Sequence, residues 1–264
     1  MRTYRGTNGR DIFDGSNQTE RVYGLGGNDD LFGYGGNDLL YGGGGNDLLV
    51  GDNGDDKLYG QAGSDLLAGE RGNDRLDGGK GFDYATYFYA PKGANVNLAA
   101  GTAQDGFGGT DTLVSIEGVY GSKFADTIRG DNGINELFGN QGNDTLIGGG
   151  GQDLLVGNAG ADRFVFADGD VGDKLGNADL IGDFSRREGD TIDLSGLDAN
   201  ANQAGDQAFS FIGGAAFSGK AGELRFEGIG GEGVLMGDVD GDGVADGFIR
   251  VDTAQAIVAG DLIL

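Results

Sequence analysis

A nine-residue repeat constrains this chain more than any other feature. From Gly24 to Asp77 the pattern G-G-x-G-x-D-x-L-x occurs six times in succession, as GLGGNDDLF, GYGGNDLLY, GGGGNDLLV, GDNGDDKLY, GQAGSDLLA and GERGNDRLD. Each copy keeps an acid at its sixth position and an apolar residue at its eighth. A repeat of this length buries its apolar side only by stacking on its neighbours. The chain is therefore expected to form an elongated array.

The period continues on both sides of this run and returns later in the chain. Upstream copies begin at Gly6 and Gly15, and a downstream copy begins at Gly78. Their acidic positions hold Asp11, Glu20 and Asp83. A second run in its own phase begins at Gly121, and its acidic positions hold Asp126, Asn135, Asp144, Asp153 and Asp162. Two such columns are very unlikely to arise by chance.

The charge balance narrows the possible partners. The net charge is -25, with 43 acidic against 18 basic residues. Such a surface repels nucleic acid and anionic membranes. A chain this acidic either stays disordered or is neutralised by cations. Because the acids follow a nine-residue grid instead of forming blocks, we expect bound cations and no nucleic-acid partner.

The missing residue types exclude several classes of site. The chain has no cysteine and no histidine, so disulfides, histidine-ligated zinc and catalytic triads with an imidazole base are excluded. The zinc motif H-E-x-x-H and the nucleophile motif G-x-S-x-G are both absent. A carboxylate pair could perform glycosidase chemistry, but among 43 acids some pair always lies at a suitable distance. We therefore expect that the protein is not an enzyme, and a carboxylate-only enzyme acting on polysaccharide is the least favoured hypothesis.

No segment has the sequence pattern of a membrane span or of a conventional signal peptide. No N-terminal stretch joins basic residues to an apolar segment, and no apolar run approaches the length that spans a bilayer. We expect no transmembrane segment, and export would need a different signal.

The composition of each repeat predicts its local structure. Gly, Asn and Asp fill the first six positions and tolerate the left-handed backbone angles of tight turns. The last three positions predict a very short strand, such as Asp30 to Phe32. Two repeats would form one coil of eighteen residues, with parallel strands on two faces. Loops two repeats apart would then lie side by side, which sorts the acids of the first run into two ladders: Asp29, Asp47, Asp65 and Asp83, and Asp38, Asp56 and Asp74.

Calcium is the cation that suits these ladders best. It takes six to eight hard oxygen ligands, which paired carboxylates and turn carbonyls can supply, whereas magnesium demands a tighter octahedron. The alternative is that Gly, Asn and Asp serve only as turn formers in a solvated solenoid. The candidate calcium ligands of the two runs are Asp11, Asp29, Asp38, Asp47, Asp56, Asp65, Asp74, Asp83, Asp126, Asp144, Asp153 and Asp162.

The repeat resembles the calcium-binding nonapeptide of RTX (repeats-in-toxin) proteins. This resemblance implies an all-β fold with two parallel β-rolls, each a right-handed β-helix of nonapeptide repeats, and several bound Ca²⁺ ions. After Phe164 the alternating apolar residues predict longer strands of a β-sandwich-like extension.

The last part of the chain resembles a second, more specific family. The segments LIGDFSRREGDTIDLSGLDAN and GDVDGDGVADGFIRV and the ending AGDLIL are similar to the C-terminal domain of serralysin-type metalloproteases, over residues 121–264. In that family the domain binds calcium and carries an uncleaved C-terminal signal for a type I secretion exporter. The signal's acid and three apolar residues would be Asp261 to Leu264. The resemblance also implies a calcium site with Asp179 and Asp190, and it implies a secreted, extracellular protein.

A further acidic loop allows two interpretations. Asp238, Asp240 and Asp242 begin like an EF-hand calcium loop, but position twelve is Ile249 where the motif has glutamate. The loop is either a calcium site closed by Asp246 or a plain polar hairpin.

We expect four regions. They are a first roll over residues 1–86, a connector with capping strands over 87–120, a second roll over 121–166, and a serralysin-like C-terminal β domain with a secretion signal over 167–264. Tyr84 to Tyr120 leaves the nonapeptide grid. Its aromatic residues, which include Tyr87 and Tyr89, would either cap the first roll or stack on sugars. The favoured function is a secreted calcium-binding protein that folds on meeting extracellular Ca²⁺. The alternative is a carbohydrate-binding or surface-layer module that contacts extracellular polysaccharide or a cell surface.

Overall fold

The computed structural model describes residues 1–228 and 231–264, which form two units, Met1–Ile128 and Arg129–Leu264. Within these residues the only helices are two single 3-10 turns, Leu175–Asn177 and Ala259–Asp261. The remaining regular structure is β-strand, and most strand pairs outside the C-terminal extension are parallel. The predicted all-β roll is therefore confirmed. The four predicted regions stay a prediction.

The first unit contains fourteen complete strands, and a fifteenth, β15 (Thr127–Arg129), crosses its end. The complete strands are β1 (Arg2–Arg5), β2 (Ile12–Ser16), β3 (Glu20–Gly26), β4 (Asp30–Tyr34), β5 (Leu39–Gly44), β6 (Leu48–Asn53), β7 (Lys57–Ala62), β8 (Leu66–Arg71), β9 (Arg75–Lys80), β10 (Tyr84–Thr86), β11 (Asn95–Asn97), β12 (Thr102–Gln104), β13 (Thr110–Val114) and β14 (Gly118–Tyr120).

Successive strands of the first unit alternate between two sheets. One sheet follows the order β1-β3-β5-β7-β9-β13-β12-β11, and the other follows β2-β4-β6-β8-β10-β14. Leu40 lies opposite Leu58 in the first sheet, and Leu49 lies opposite Leu67 in the second. Each residue thus stacks on the one eighteen positions later, which confirms the predicted coil of two repeats.

The strands are longer than the sequence pattern predicts. β5 runs through Gly44, and it continues to pair with β7 at Gly43 and Gly44. The expectation that only the last three positions of a repeat form a strand was therefore wrong. Glycine at positions one to three does not end the strand, because these residues pair in register with the equivalent residues of the next coil.

The apolar column forms the core between the two sheets. In the first unit its members are all fully buried: Val22, Leu31, Leu40, Leu49, Leu58, Leu67, Leu76 and Ala85. The neighbouring positions of each strand alternate outward, as the pleat of a strand requires. One buried aliphatic side chain per repeat is a small contribution, so the loops must add to the stability of each coil.

The connector returns to the roll before the first unit ends. Its strands β11, β12 and β13 pair antiparallel with one another, and β13 then pairs parallel with β9, placing Leu113 opposite Leu76. The segment Gly106–Val114 that contains β13 reads GFGGTDTLV and has the nonapeptide pattern. Gly106 is out of phase with both runs, so the segment leaves the nine-residue grid and yet carries one further copy of the pattern.

The second unit continues the same alternation and then changes to antiparallel pairing. Its strands are β16 (Glu136–Gln141), β17 (Thr145–Ile147), β18 (Leu154–Ala159), β19 (Arg163–Ala167), β20 (Asp179–Phe184), β21 (Thr191–Gly196), β22 (Ser210–Phe211), β23 (Glu223–Glu227), β24 (Gly231–Asp238), β25 (Gly247–Thr253) and β26 (Leu262–Ile263). One series is β17-β19-β21-β26 and the other is β16-β18-β20-β25-β24-β23-β22.

The C-terminal extension buries part of its predicted core. Phe209, Leu224 and Phe226 are buried, whereas Phe211, Ile212 and Phe217 are only partly covered. Strands β23, β24 and β25 form an antiparallel meander in which Leu235 lies opposite both Phe226 and Ile249. This meander thus buries apolar side chains on three adjacent strands.

Candidate metal centre

The predicted aspartate ladders exist, and backbone hydrogen bonds hold them. Each backbone amide in the ladder donates to Oδ1 of the aspartate eighteen residues later. The distance is 2.7 Å from Asp11 to Asp29, and it is 2.8 Å from Asp29 to Asp47, from Asp47 to Asp65 and from Asp65 to Asp83. Each carboxylate therefore uses one oxygen to hold the loop two repeats before it.

The second ladder of the first unit begins at Glu20. Its amide donates to Oδ1 of Asp38 at 2.6 Å, Asp38 donates to Asp56 at 2.6 Å, and Asp56 donates to Asp74 at 2.7 Å. Glu20 is buried and its Oε1 accepts a hydrogen bond from Ser16 at 2.5 Å. Glutamate thus occupies a ladder position, although the sequence analysis did not count it among the ligands.

The second oxygen of each ladder carboxylate lies in the interior without a partner. Asp29, Asp56 and Asp65 are at most 1% exposed. Among the ladder residues from Glu20 to Asp83, the buried Oδ2 atoms that accept no hydrogen bond from the described residues belong to Asp29, Asp38, Asp47, Asp56, Asp65, Asp74 and Asp83. Burying an ionised oxygen without a partner is costly, and native proteins satisfy such groups with protein, water or a metal. A whole column of them is typical of a cation-binding site.

The first glycine of each repeat leaves space for this oxygen. A β-carbon added to Gly24 would lie 2.2 Å from Oδ2 of Asp29 and 2.4 Å from the carbonyl oxygen of Gly42. On the other face, Gly33 stands in the same relation to Asp38 and Gly51. Carboxylate and carbonyl oxygens from neighbouring loops thus converge where a side chain would otherwise stand. These are the hard oxygens that calcium prefers, so the residues present fit the ion.

Burial shifts the ionisation of the ladder carboxylates. It raises the pKa of Asp56 to about 7 and that of Asp65 to about 7, and the neighbouring ladder carboxylates add to both shifts. The backbone hydrogen bond that each receives acts in the opposite direction. A divalent cation between the carboxylates would offset both the burial and the mutual repulsion.

The second unit repeats the arrangement, with Asn135 at one ladder position in place of an aspartate. The backbone amide of Asn135 donates to Oδ1 of Asp153 at 2.8 Å, and the backbone amide of Asp153 donates to Oδ1 of Asp179 at 2.8 Å. On the other face, Asp144 donates to Asp162 at 2.8 Å, and Asp162 donates to Asp190 at 3.0 Å. The two acids implied by the serralysin resemblance therefore extend the two ladders.

In three predicted ligands, the second carboxylate oxygen already accepts a hydrogen bond from the protein. Both oxygens of Asp126 accept hydrogen bonds, from Ala94 and Ser122. Oδ2 of Asp11 accepts from Thr7 at 2.6 Å, and Oδ2 of Asp190 accepts from Ser185 at 2.8 Å. By contrast, Oδ2 of Asp153, Asp162 and Asp179 has no partner among the described residues, and burial raises the pKa of Asp179 to about 8. The geometry favours these three over the first three.

The loop between β24 and β25 brings together three of its four predicted acids. One carboxylate oxygen each from Asp238, Asp240 and Asp246 lies within 4.8 Å of the others. Asp242 stands apart and accepts from Val244 at 2.7 Å. Asp238 is buried, and its two carboxylate oxygens accept hydrogen bonds from the backbone amides of Gly241 and Gly243 in the same loop. The loop is therefore compatible with both interpretations, a calcium site and a polar hairpin.

Two groups of polar residues were missed by the sequence analysis. Position five of the repeats forms an outer amide series, in which Asn46 donates to Oδ1 of Asn28 and Ser64 donates to Oδ1 of Asn46, both at 3.0 Å. The recurring Asn at that position was the available signal. The second group consists of the connector acids Asp105 and Asp111, which are fully buried. The nonapeptide pattern of Gly106–Val114 would have located Asp111.

Comparison with known families now identifies the repeat. The family model for the RTX calcium-binding nonapeptide repeat, which spans four copies, matches residues 3–31, 14–49, 23–58, 50–85, 120–155 and 138–170. These overlapping matches cover about half of the chain. The chain belongs to the RTX calcium-binding repeat family. As an RTX protein, it binds several calcium ions through its repeats.

Solved structures similar to this RTX protein include two at 16% sequence identity. The crystal structure of the extracellular lipase LipA from Serratia marcescens matches 98% of this chain and 40% of that chain with a TM-score of 0.30. The solution structure of the AlgE6R3 subunit from the Azotobacter vinelandii mannuronan C5-epimerase matches 98% of this chain and 80% of that chain with a TM-score of 0.17. The RTX chain thus spans less than half the length of the lipase. At these scores neither structure informs its function.

No curated protein sequence matches this RTX chain. Within residues 1–228 and 231–264, no helix is both long and apolar enough to cross a membrane.

Proposed function

We propose that this RTX protein is a secreted, non-enzymatic calcium-binding protein whose rolls fold when they meet extracellular Ca²⁺. A type I secretion system would export the chain while it is unfolded. Low calcium in the cytoplasm would keep it in that state, and folding outside the cell would hinder its return.

The observation that carries this proposal is the column of buried carboxylate oxygens without partners. Oδ2 of Asp38, Asp47 and Asp56 has no hydrogen-bond partner in the described part of the chain, and each residue is at most 3% exposed. Without a cation, folding must either bury these charges or protonate them, and both oppose the folded state at neutral pH. With calcium bound, the same oxygens become ligands. Binding to the folded state alone then stabilises it by mass action.

The C-terminal residues support export before folding. Arg186 donates to both oxygens of Asp261, at 2.6 and 2.5 Å, and also to the carbonyl of Ala256 at 2.6 Å. Leu262 and Ile263 pair with Ile192 and Asp193 of β21. In the folded protein this segment is thus docked against the second unit. An exporter that reads these residues would have to do so before the extension folds.

A calcium titration of the full chain tests the folding proposal. Circular dichroism and hydrodynamic radius would be measured on calcium-free protein as Ca²⁺ is added, with Mg²⁺ as the control ion. We expect an expanded chain with little β-structure that becomes compact and β-rich only with Ca²⁺. A calcium-free chain that is already compact and rich in β-structure would refute the proposal.

Export is tested in a bacterium that carries a type I exporter. We expect the full chain to reach the medium and a variant ending at Ala254 to stay in the cells. The double substitution Glu232→Ala and Glu227→Ala removes two exposed acids from the same unit without touching the C-terminus and serves as the control. Equal secretion of the truncated chain would refute a C-terminal signal.

A second candidate function is binding of extracellular polysaccharide by the exposed part of the connector's aromatic set. Tyr87 is 3% exposed, so its ring cannot stack on a sugar, whereas Tyr89 is 72% exposed. Tyr89 borders a groove of about 430 Å³ that Phe32, Val50 and Phe88 also line. The ammonium of Lys123 lies 4.5 Å from the Phe88 ring centre and 5.9 Å from that of Tyr89. An aromatic ring beside a cation suits an acidic glycan.

Glycan binding to the calcium-loaded chain tests this second candidate. Tyr89→Ala should abolish retention on an acidic polysaccharide such as alginate. Tyr34→Ala, which removes another exposed tyrosine of the first unit, should leave retention unchanged. Equal retention of both variants, or no retention of the parent chain, would exclude the groove as a glycan site.

A further inference from the structure

The connector contains an RTX-like loop that the family model does not match. Residues 86–119 lie between the matched ranges, yet Gly106–Val114 carries the nonapeptide pattern with Asp111 at its acidic position. This loop stacks on the loop that contains Asp74. The amide of Asp74 donates to Oδ1 of Asp111 at 3.0 Å, and Thr110 donates to Oδ1 of Asn73 at 3.1 Å. Asp111 therefore ends the ladder that begins at Glu20, after a gap of 37 residues instead of 18.

Asp105 adds an acid that the nonapeptide pattern does not contain. Its Oδ1 accepts hydrogen bonds from three backbone amides of the connector loop, from Phe107 at 2.9 Å and from Gly108 and Gly109 at 2.8 Å each. The Arg71 guanidinium lies 5.2 Å from the centre of the Phe107 ring and packs against the same loop. These contacts hold the Asp105 carboxylate in one orientation. Its Oδ2 is buried and has no partner among the described residues.

Several other buried oxygens without partners belong to residues near Asp105. Asp111 is fully buried, and its Oδ2 has no hydrogen-bond partner in the described chain. The same holds for Oδ2 of Asp74. The hydroxyl of Tyr87, which is 3% exposed, lies beside the Asp111 carboxylate. A β-carbon on Gly109 would lie 2.8 Å from Oδ2 of Asp105 and 1.6 Å from the carbonyl oxygen of Gly72. A carboxylate and a backbone carbonyl therefore meet at Gly109, as they do at Gly24.

We propose that Asp105 and Asp111, together with the carbonyl oxygen of Gly72, bind a calcium ion that closes the end of the first roll. Asp74 lies beside this ion, and its charge is neutralised by it. The ion fits because calcium accepts carboxylate and carbonyl oxygens in a flexible shell of six to eight ligands.

The charge of the site agrees with the proposal. The carboxylates of Asp74, Asp105 and Asp111 are each at most 2% exposed. Uncompensated carboxylates at this density would oppose docking of the connector on the roll. A bound cation removes that opposition.

The proposal rests on the calcium binding of the RTX repeats and is independent of export. It assigns the connector a role that differs from both earlier expectations. The connector would close the roll through a metal site of its own, instead of through aromatic capping or sugar stacking alone.

The number of bound calcium ions tests the proposal directly. Native mass spectrometry would be used on the full chain at saturating Ca²⁺, comparing Asp105→Asn with the parent. Asp14→Asn is the matched control, because Asp14 is an exposed acid of the same unit whose carboxylate contacts Tyr34 and lies off the ladders. We expect Asp105→Asn to lose a single calcium ion and Asp14→Asn to lose none. An unchanged count in Asp105→Asn would overturn the proposal, and it would leave calcium-dependent folding of the rolls intact.

A second measurement keeps the proposal testable if Asp105→Asn fails to fold. Terbium replaces calcium at oxygen sites and emits when a nearby tyrosine is excited. Tyr87→Phe retains every carboxylate and the buried ring, and we expect a reduced tyrosine-sensitised emission, with the remainder coming from the other eight tyrosines. Tyr34→Phe, which removes an exposed hydroxyl of the same unit, should retain the emission. Undiminished emission from Tyr87→Phe in terbium-loaded, folded protein would place the ion elsewhere and overturn the proposal.

Discussion

The amide of Asp47 donates to Oδ1 of Asp65 at 2.8 Å, while Oδ2 of Asp65 is buried without a partner in the described chain. The two oxygens of one carboxylate thus have different roles. Oδ1 fixes the spacing of adjacent coils, and Oδ2 is left for a cation. Because the fold and the metal site share the same side chain, loss of either task should affect the other.

Substitution of Asp65 by Asn separates these two tasks. The amide oxygen of the substituted side chain can still accept the hydrogen bond from Asp47. One ligand charge is lost, so we expect at least about a tenfold weaker calcium response, which corresponds to about 1.4 kcal/mol. The measurement is the midpoint of the calcium titration followed by circular dichroism.

The control for this prediction is Asp55→Asn. Asp55 is exposed and lies one position before a ladder acid, so the same change in total charge should shift the midpoint much less. Equal shifts in the two variants would mean that net charge, and not ligation by Asp65, governs the response.

The ladders could be predicted from the sequence because both of their determinants are local. A period of nine with two repeats per coil places residues eighteen apart side by side, and the register of Leu40 with Leu58 shows this spacing. The burial of Asp65 and the fully buried Leu67 follow from the same periodicity. A strict repeat therefore determines both the apolar core and the position of the ligands.

The connector could not be predicted in the same way because its register depends on tertiary stacking. Asp111 joins the ladder at a separation of 37 residues from Asp74, and the intervening hairpin of β11 and β12 sets that distance. Nothing in a nine-residue grid encodes such a gap. The second oxygens of Asp126 and Asp190 escaped prediction for a related reason. Their protein donors, such as Ser122 and Ser185, lie in irregular loops.

Gly63 is expected to be intolerant of a side chain. Its φ is +139°, and an added β-carbon would lie 1.8 Å from the carbonyl oxygen of Gly45 in the neighbouring loop. The backbone conformation alone should cost Gly63→Ala about 1–3 kcal/mol, and displacement of the loop adds to this. Urea unfolding in saturating calcium measures the loss. Gly44→Ala is the control, because the nearest atom to its added β-carbon is 4.0 Å away. Comparable losses in both variants would contradict close stacking of the loops.

Calcium-free protein should gain structure as the pH falls. The folded-state pKa is raised to about 6 for Asp38 and to about 7 for Asp56 and Asp65, whereas an unfolded aspartate titrates near its ordinary value of about 3.9. A raised carboxylate pKa means that the folded state binds protons more tightly. Its stabilising contribution is therefore complete below the unfolded pKa and is lost as the pH rises through about 6 to 7.

We therefore expect more β-structure at pH 5 than at pH 8 in the absence of calcium, measured by circular dichroism. With calcium present the order should reverse across this range, because protons compete with the ion for the carboxylates. Calcium-free protein that is equally structured at both pH values would show that the ladder carboxylates do not limit folding.

Arg186 is expected to hold the C-terminal segment in place. Its guanidinium donates to both carboxylate oxygens of Asp261, to the side chain of Gln255 at 2.9 Å and to the carbonyl of Ala256 at 2.6 Å. Asp261 is 3% exposed, so Arg186→Ala leaves a buried carboxylate without its cation. Each charged hydrogen bond contributes about 1.5–3 kcal/mol, so local opening of residues 255–264 should become at least about tenfold more frequent. Amide hydrogen exchange in saturating calcium measures this opening. Arg187→Ala, which removes the exposed neighbouring arginine, should leave the exchange unchanged, and equal exchange in both variants would show that β26 is held by its pairing with β21 alone.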